Sequence, residues 1–143
     1  MPRDLLIAGT GGLAREVAQL ARRIDPEGQR WARLRYVAES RAELNKPLLL
    51  GNVDLCDDDL PKLTEAHDLV IAIGHPQARR EVALGVAKLT QLSFPNLIHP
   101  GVEIDATAVQ MGHGNLVCKG VVMTCGIHIG DFNLLNWNVT VGH

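Results

Sequence analysis

The spacing of hydrophobic positions along this chain changes near Phe94. Before it they fall in short unbroken runs and helical stripes; after it they recur every sixth residue. Leu5-Leu6-Ile7-Ala8 is an apolar run closed by Gly9, the pattern of a strand covered on both faces in a parallel sheet. Leu13, Val17, Leu20 and Ile24 return at helical intervals until Asp25-Pro26-Glu27-Gly28 stops them, which predicts a helix over about 13–24. Leu34 to Ala38 reads as a second strand with Glu39 at its carboxyl end. Pro47 to Leu50 is a short apolar stretch ending at Gly51, and Asp57-Asp58-Asp59 predicts the start of a short helix reaching about Glu65, because acidic side chains favour a helix N-terminus. Asp68 to Gly74 is a third strand, and His75-Pro76 leads into a helix with Ala78, Val82, Gly85-Val86 and Leu89 on one face. The order predicts a Rossmann-like parallel α/β domain over residues 1–94.

Stepping by six from Met111 gives Met111, Val117, Met123, Ile129, Leu135 and Val141, all of them apolar. The residue after each is Gly112, Cys118, Thr124, Gly130, Asn136 or Gly142, small or turn-forming, and the fifth place includes Val121, Ile127 and Val139. The same beat holds upstream at Ile98 and Ile104, with Val102 and Ala108 in fifth place and an extra residue at Gln110. Neither a helix nor an alternating hairpin has this period. A left-handed parallel β-helix does: each hexapeptide forms one side of a triangular prism, the large residue points inward, small residues turn the corners, and three units complete a coil. The second domain is therefore predicted over residues 95–143, giving α/β followed by β. An aromatic content of 3% suits a core of stacked aliphatic layers.

Charge and cysteine content narrow the partners. A formal net charge of −2 with no basic run gives no electrostatic reason to expect nucleic acid or an anionic membrane surface. No apolar stretch is long enough for a membrane span or a signal-peptide core. Three cysteines without a CxxC pair point to structural thiols and a cytoplasmic protein. No metal is expected: the acidic run lacks a nearby histidine, and His99, His113 and His128 occupy different places in their six-residue units, reading as solvent or turn residues. His67 reads as a solvated residue at a helix end.

The candidate chemistry begins at GTGGLA, where Gly9, Gly11 and Ala14 fit G-x-G-x-x-[GA]. Glycines allow close backbone approach, and the amides opening the helix, around Thr10 and Gly12, favour a phosphate or carboxylate. Glu39 falls where a ribose-binding acid would sit, at a longer spacing than usual. Gly74 and His75 follow the third strand, and Arg79, one turn into the next helix, faces either an anion or solvent. These strand ends would line one crevice. Such a loop binds many phosphorylated ligands, so an NAD(P)-dependent oxidoreductase domain stays open at this point.

Four segments together resemble the NeuD/PglD-type sugar acetyltransferases of the hexapeptide-repeat class: IAGTGGLAREV, VIAIGHPQARREV, NLIHPGVEIDATA and IGDFNLLNWNVTVGH. The resemblance implies acetyl-CoA as co-substrate and a nucleotide-linked amino sugar or sialic acid as acceptor, in bacterial surface-glycan biosynthesis. It implies a homotrimer with acetyl-CoA between neighbouring β-helices. It matches Gly9, Thr10, Gly11 and Gly12 to the phosphate loop, Glu39 to an acidic position near the nucleoside, and Gly74, His75 and Arg79 to the second loop and its basic residue. Leu13 stands where some members have a histidine. His143, ending NWNVTVGH, matches the catalytic base: attack of an amine or hydroxyl on a thioester requires a proton acceptor, and an imidazole serves near neutral pH without a covalent intermediate. Asn136 occupies a corner, with a structural role expected. Family members continue with an acidic residue and further coils that carry most CoA contacts, so the chain reads as a fragment or a truncated product. A non-catalytic nucleotide-sugar-binding or assembly module is the remaining alternative.

Overall fold

A computed structural model describes residues 1–143. Its first part is a six-stranded sheet of β1 (Arg3–Ala8), β2 (Trp31–Ala38), β3 (Pro47–Leu48), β4 (Gly51–Cys56), β5 (His67–Ile71) and β6 (Leu92–Ser93), in the order β3-β4-β2-β1-β5-β6. All pairs are parallel except the short β3–β4 hairpin. Helices α1 (Gly12–Ile24) and α2 (Pro76–Val86) lie on opposite faces. The unbroken apolar run of β1 follows from its central place. Leu5 and Ile7 cluster with Ala14, Val17 and Ala18 of α1, while Leu6 and Ala8 cluster with Ala83 and Val86 of α2. From β1 the chain builds outward through β2 to β4, then crosses back so that β5 pairs with the other edge of β1. That reversal opens a crevice above the β1 and β5 carboxyl ends.

Three expectations change. Strands β4 and β6 escape the apolar-run reading: in β4 the polar Asn52 and Asp54 alternate with inward residues, and β6 has only two residues. Asp57–Lys62 is a 3-10 helix rather than an α-helix. Its Asp59 carboxylate accepts from the Cys56 amide at 3.0 Å, and that bond together with Arg41 brings its pKa down to about 2. His67 is not solvated: it is buried on β5, with Nδ1 2.9 Å from the Glu65 carbonyl.

The second part is a triangular prism of short parallel ladders. One face stacks β7 (Leu97–Ile98), β9 (Leu116–Val117) and β12 (Leu134–Leu135). The second pairs β8 (Val109–Met111) with β11 (Ile127–Ile129), and the third pairs β10 (Val122–Met123) with β13 (Thr140–Val141). Partners such as Leu116 and Leu134 are eighteen residues apart, three hexapeptides to the coil. Leu97 and Leu116 are nineteen apart, which places the extra residue in the first coil. There Val102–Asp105 forms no strand, so Ile104 does not extend the ladder as its place in the beat implies.

Asparagines occupy the inward fifth position on one face. Asn115 is fully buried; its Nδ2 donates to Asn96 Oδ1 (3.0 Å) and the Gly130 carbonyl (2.9 Å), and its Oδ1 accepts from the Asn133 amide (2.8 Å) and Asn133 Nδ2 (3.0 Å). Three successive coils are thereby tied through side chains as well as strands. On the outer side of the same face, Leu97, Leu116 and Leu134 join the core cluster of α1 and fasten the prism to the sheet domain. One flanking corner carries Phe132, which packs with Phe94 (ring centroids 5.2 Å apart) in the cluster that includes α2. The other flanking corner carries Cys118 and Trp137 beside α1. The third corner, Thr124–Gly126 and Gly142–His143, points away from the sheet domain.

Candidate active site

Gly9 sits at the reversal point with φ +132°, its amide donating to the Val37 carbonyl at 3.0 Å. A Cβ there would lie 2.6 Å from the Ala72 carbonyl oxygen, so glycine is required by the close passage of two loops. Gly11, Gly12 and Gly74 differ. A Cβ on any of them meets nothing within 4 Å, so no packing within this chain demands glycine there. Gly11 is the N-cap of α1, without a side-chain cap. The first turn of α1 thus presents free amides to an open space, with the partial positive charge of the helix end behind them.

Thr10 Oγ1 donates to Glu43 Oε1 at 3.0 Å, tying the glycine loop to the 3-10 turn Arg41–Glu43. Glu43 is half-buried and no sequence signal marks it, since it lies on an irregular turn beyond β2. Glu39 is exposed at the end of β2. Asp57, at the end of β4, is held above its usual range by burial and by the charge of Glu39, so the two carboxylates share one rim of the crevice. On the opposite loop, His75 caps α2, its Nδ1 accepting from the Ala78 amide at 3.4 Å. Arg79 is half-buried, and its Nε and one terminal nitrogen are sealed from solvent without a partner. Burial pushes this guanidinium below its ordinary value. An unpaired cation in such surroundings is stabilised by an incoming anion.

The structure brings Gly9, Thr10, Gly11, Gly12, Glu39, Gly74, His75 and Arg79 to the carboxyl side of one sheet. It does not bring His143 to them. The imidazole is exposed on the third corner, and Gly126 is its neighbour in the coil below: a Cβ on Gly126 would stand 3.9 Å from His143 Cβ. Asn136 lies on a corner, its Oδ1 accepting from the Trp137 amide at 2.9 Å, as a turn residue does. His113 pairs with Asp131 at 3.1 Å and His128 is exposed, whereas His99 is half-buried, against the solvent reading. A surface cavity of about 500 Å³ lies at the other end of the sheet, where Arg35 is paired with Asp54.

An open parallel sheet with glycine loops at its reversal, fastened to a hexapeptide-repeat β-helix, defines a two-part class of protein. The PglD N-terminal domain family matches residues 4–84, and the chain belongs to that family. The chain is similar to the crystal structure of PerB from Caulobacter crescentus in complex with CoA and GDP-perosamine, with 26% identity and a TM-score of 0.79 over 98% of this chain and 63% of that one. It is similar to the acetyltransferase domain of PglB from Neisseria gonorrhoeae in complex with acetyl coenzyme A, with 25% identity and a TM-score of 0.79 over 100% of this chain and 66% of that one. WeeI from Acinetobacter baumannii shares the fold, at 19% identity and a TM-score of 0.65 over 98% of this chain and 66% of that one. The chain spans less than two thirds of the length of each. No match is found among curated proteins. No helix of the chain is long and apolar enough to cross a membrane.

Proposed function

We propose that the chain serves acetyl transfer from acetyl-CoA to the amino group of a nucleotide-linked sugar. The observation that carries this is the space left open at Gly11, Gly12 and Gly74 with the unpaired Arg79 guanidinium, in a chain whose β-helix bears His143. The diphosphate of the nucleotide would take the α1 amides and Arg79, and the carboxylates at the rim would accept ribose hydroxyls. His143 accepts the amine proton as nitrogen attacks the thioester carbonyl; the C–S bond breaks, and the CoA thiolate takes that proton from the imidazolium. PerB was crystallised with CoA and GDP-perosamine, and the PglB domain with acetyl coenzyme A, which supports both substrate classes. Since His143 points away from its own glycine loops, the acceptor held by one copy meets the histidine of another. We therefore read the working assembly as a homotrimer. Three free cysteines support a reducing, cytoplasmic setting.

The test is CoA thiol release from acetyl-CoA with GDP- and UDP-linked amino sugars, with the N-acetylated product identified by mass. Absence of release with every such acceptor, together with tight NAD binding, would overturn the proposal in favour of an oxidoreductase domain. Gly12→Ala supplies a second check. Alanine is the better helix former and has room, so thermal stability should be unchanged or slightly higher. The added methyl occupies the phosphate cradle, and nucleotide-sugar affinity by calorimetry should fall at least roughly tenfold, a loss of about 1.4 kcal/mol. Equal affinity would show that the open space is not the phosphate site.

A further inference from the structure

Between α1 and the prism corner beside it lies a recess of about 90 Å³ that shares no residue with the strand-end crevice. Its helix side carries Leu13, Val17 and Leu20 at helical spacing, flanked by Glu16, Gln19 and Arg23. Its prism side holds His99, Lys119 and the half-exposed Trp137. Sequence spacing gave His99 no task, yet its placement is specific.

His99 Nδ1 accepts from the Gly101 amide at 3.0 Å, which fixes the ring proton on Nε2. That Nε2 is sealed from solvent and has no acceptor. Buried donors are almost always paired, and His99 lines the recess, so a donor without an acceptor there, closed off as the side chains now stand, marks the place of a missing one. Burial, with Arg23 and Lys119 close by, holds the imidazole below its ordinary value, and the ring is a neutral N–H donor. Arg23 and Lys119 also border the recess, and neither pairs with a carboxylate. Glu16 lies on the same wall.

We infer that this recess binds a small monocarboxylate with a short apolar tail. A carboxylate is acceptor-only and has two oxygens, one for Nε2–H and one for Lys119 and Arg23. The tail would lie along Leu13, Val17 and Leu20, with Trp137 at its side. Glu16 disfavours a dianion such as phosphate by like-charge repulsion, and the volume limits the tail to a few carbons. Lys119 and Trp137 are exposed side chains at the mouth, free to rotate while a ligand enters.

The test is titration of the isotopically labelled chain with acetate, butyrate, octanoate and inorganic phosphate at constant ionic strength, followed by the His99 ring and Trp137 indole resonances. Saturable shifts at both, tighter for butyrate than for acetate, octanoate or phosphate, are expected. His99→Phe keeps the ring volume and removes the donor, and should weaken butyrate at least tenfold. Lys119→Glu, at an exposed position, should do so without disturbing the fold. No saturable shift, equal response to phosphate, or unchanged affinity in Lys119→Glu each overturns the inference. None of these measurements involves CoA or a nucleotide sugar, so its failure leaves the acetyl-transfer proposal standing, and the reverse also holds.

Discussion

Alanine in place of His143 is expected to lower acetyl transfer by about 10²–10⁴-fold, the range that general-base catalysis supplies. The amine must lose a proton as it attacks, and without the imidazole only water can take it. The effect should fall on turnover and leave the KM for acetyl-CoA close to its wild-type value, because a base acts on the transition state. A thiol on the same corner sharpens the experiment. Cys125 directly precedes Gly126, the neighbour of His143 in the coil below, and is exposed. Were the acetyl group relayed through a cysteine thioester, Cys125→Ala would be as damaging as His143→Ala. Direct transfer predicts turnover within about twofold of wild type for Cys125→Ala, a change of less than 0.5 kcal/mol in the barrier. Stopped-flow CoA release on both variants decides between them, and unchanged turnover in His143→Ala would remove the proposed base.

The second large effect concerns stability. Asn115→Ala leaves the Gly130 carbonyl and the Asn133 amide without their side-chain partner, while Asn96 Oδ1 keeps only its bond from the Asn115 amide. Each buried polar group stranded in this way costs about 1–3 kcal/mol, and the neighbours relax only in part. A total of about 4 kcal/mol is expected, which for a chain of this size lowers the melting temperature by roughly 10 °C. Asn115→Leu isolates the cause. It restores apolar volume but no hydrogen bonds, so it should be nearly as unstable as the alanine variant. A leucine variant melting with wild type would show that the asparagines are fillers of space rather than ties between coils.

The same asparagines explain what the sequence conceals. The six-residue beat is visible because its inward aliphatic position repeats in every unit and the period has no competing interpretation. Val121, Ile127 and Val139 share the fifth position with Asn115 and Asn133, and hydrophobicity alone treats these two as misses. They are a second period, of one coil, carried by hydrogen bonding. The glycine loop and its helix are legible because β1 is buried on both faces and α1 on one. Strand β4 is not, since its Asn52 and Asp54 break the apolar run and its pairing with β2 is a tertiary choice. Glu43 and His99 carry no local pattern at all. Their significance comes from what lies against them, Thr10 in one case and an empty recess in the other.

With the proposed base, His143, on the corner that faces away from its own sheet domain, turnover is expected to be a property of concentration. Each copy would carry half of two sites and the whole of none. Specific activity should therefore fall steeply on dilution while circular dichroism and melting behaviour of the sheet domain stay constant. Acceptor alone, by bridging copies, would postpone that fall to lower protein concentrations. On the proposed function, catalysis and assembly would become one equilibrium, and the nucleotide sugar would act on it as a ligand before acting as a substrate.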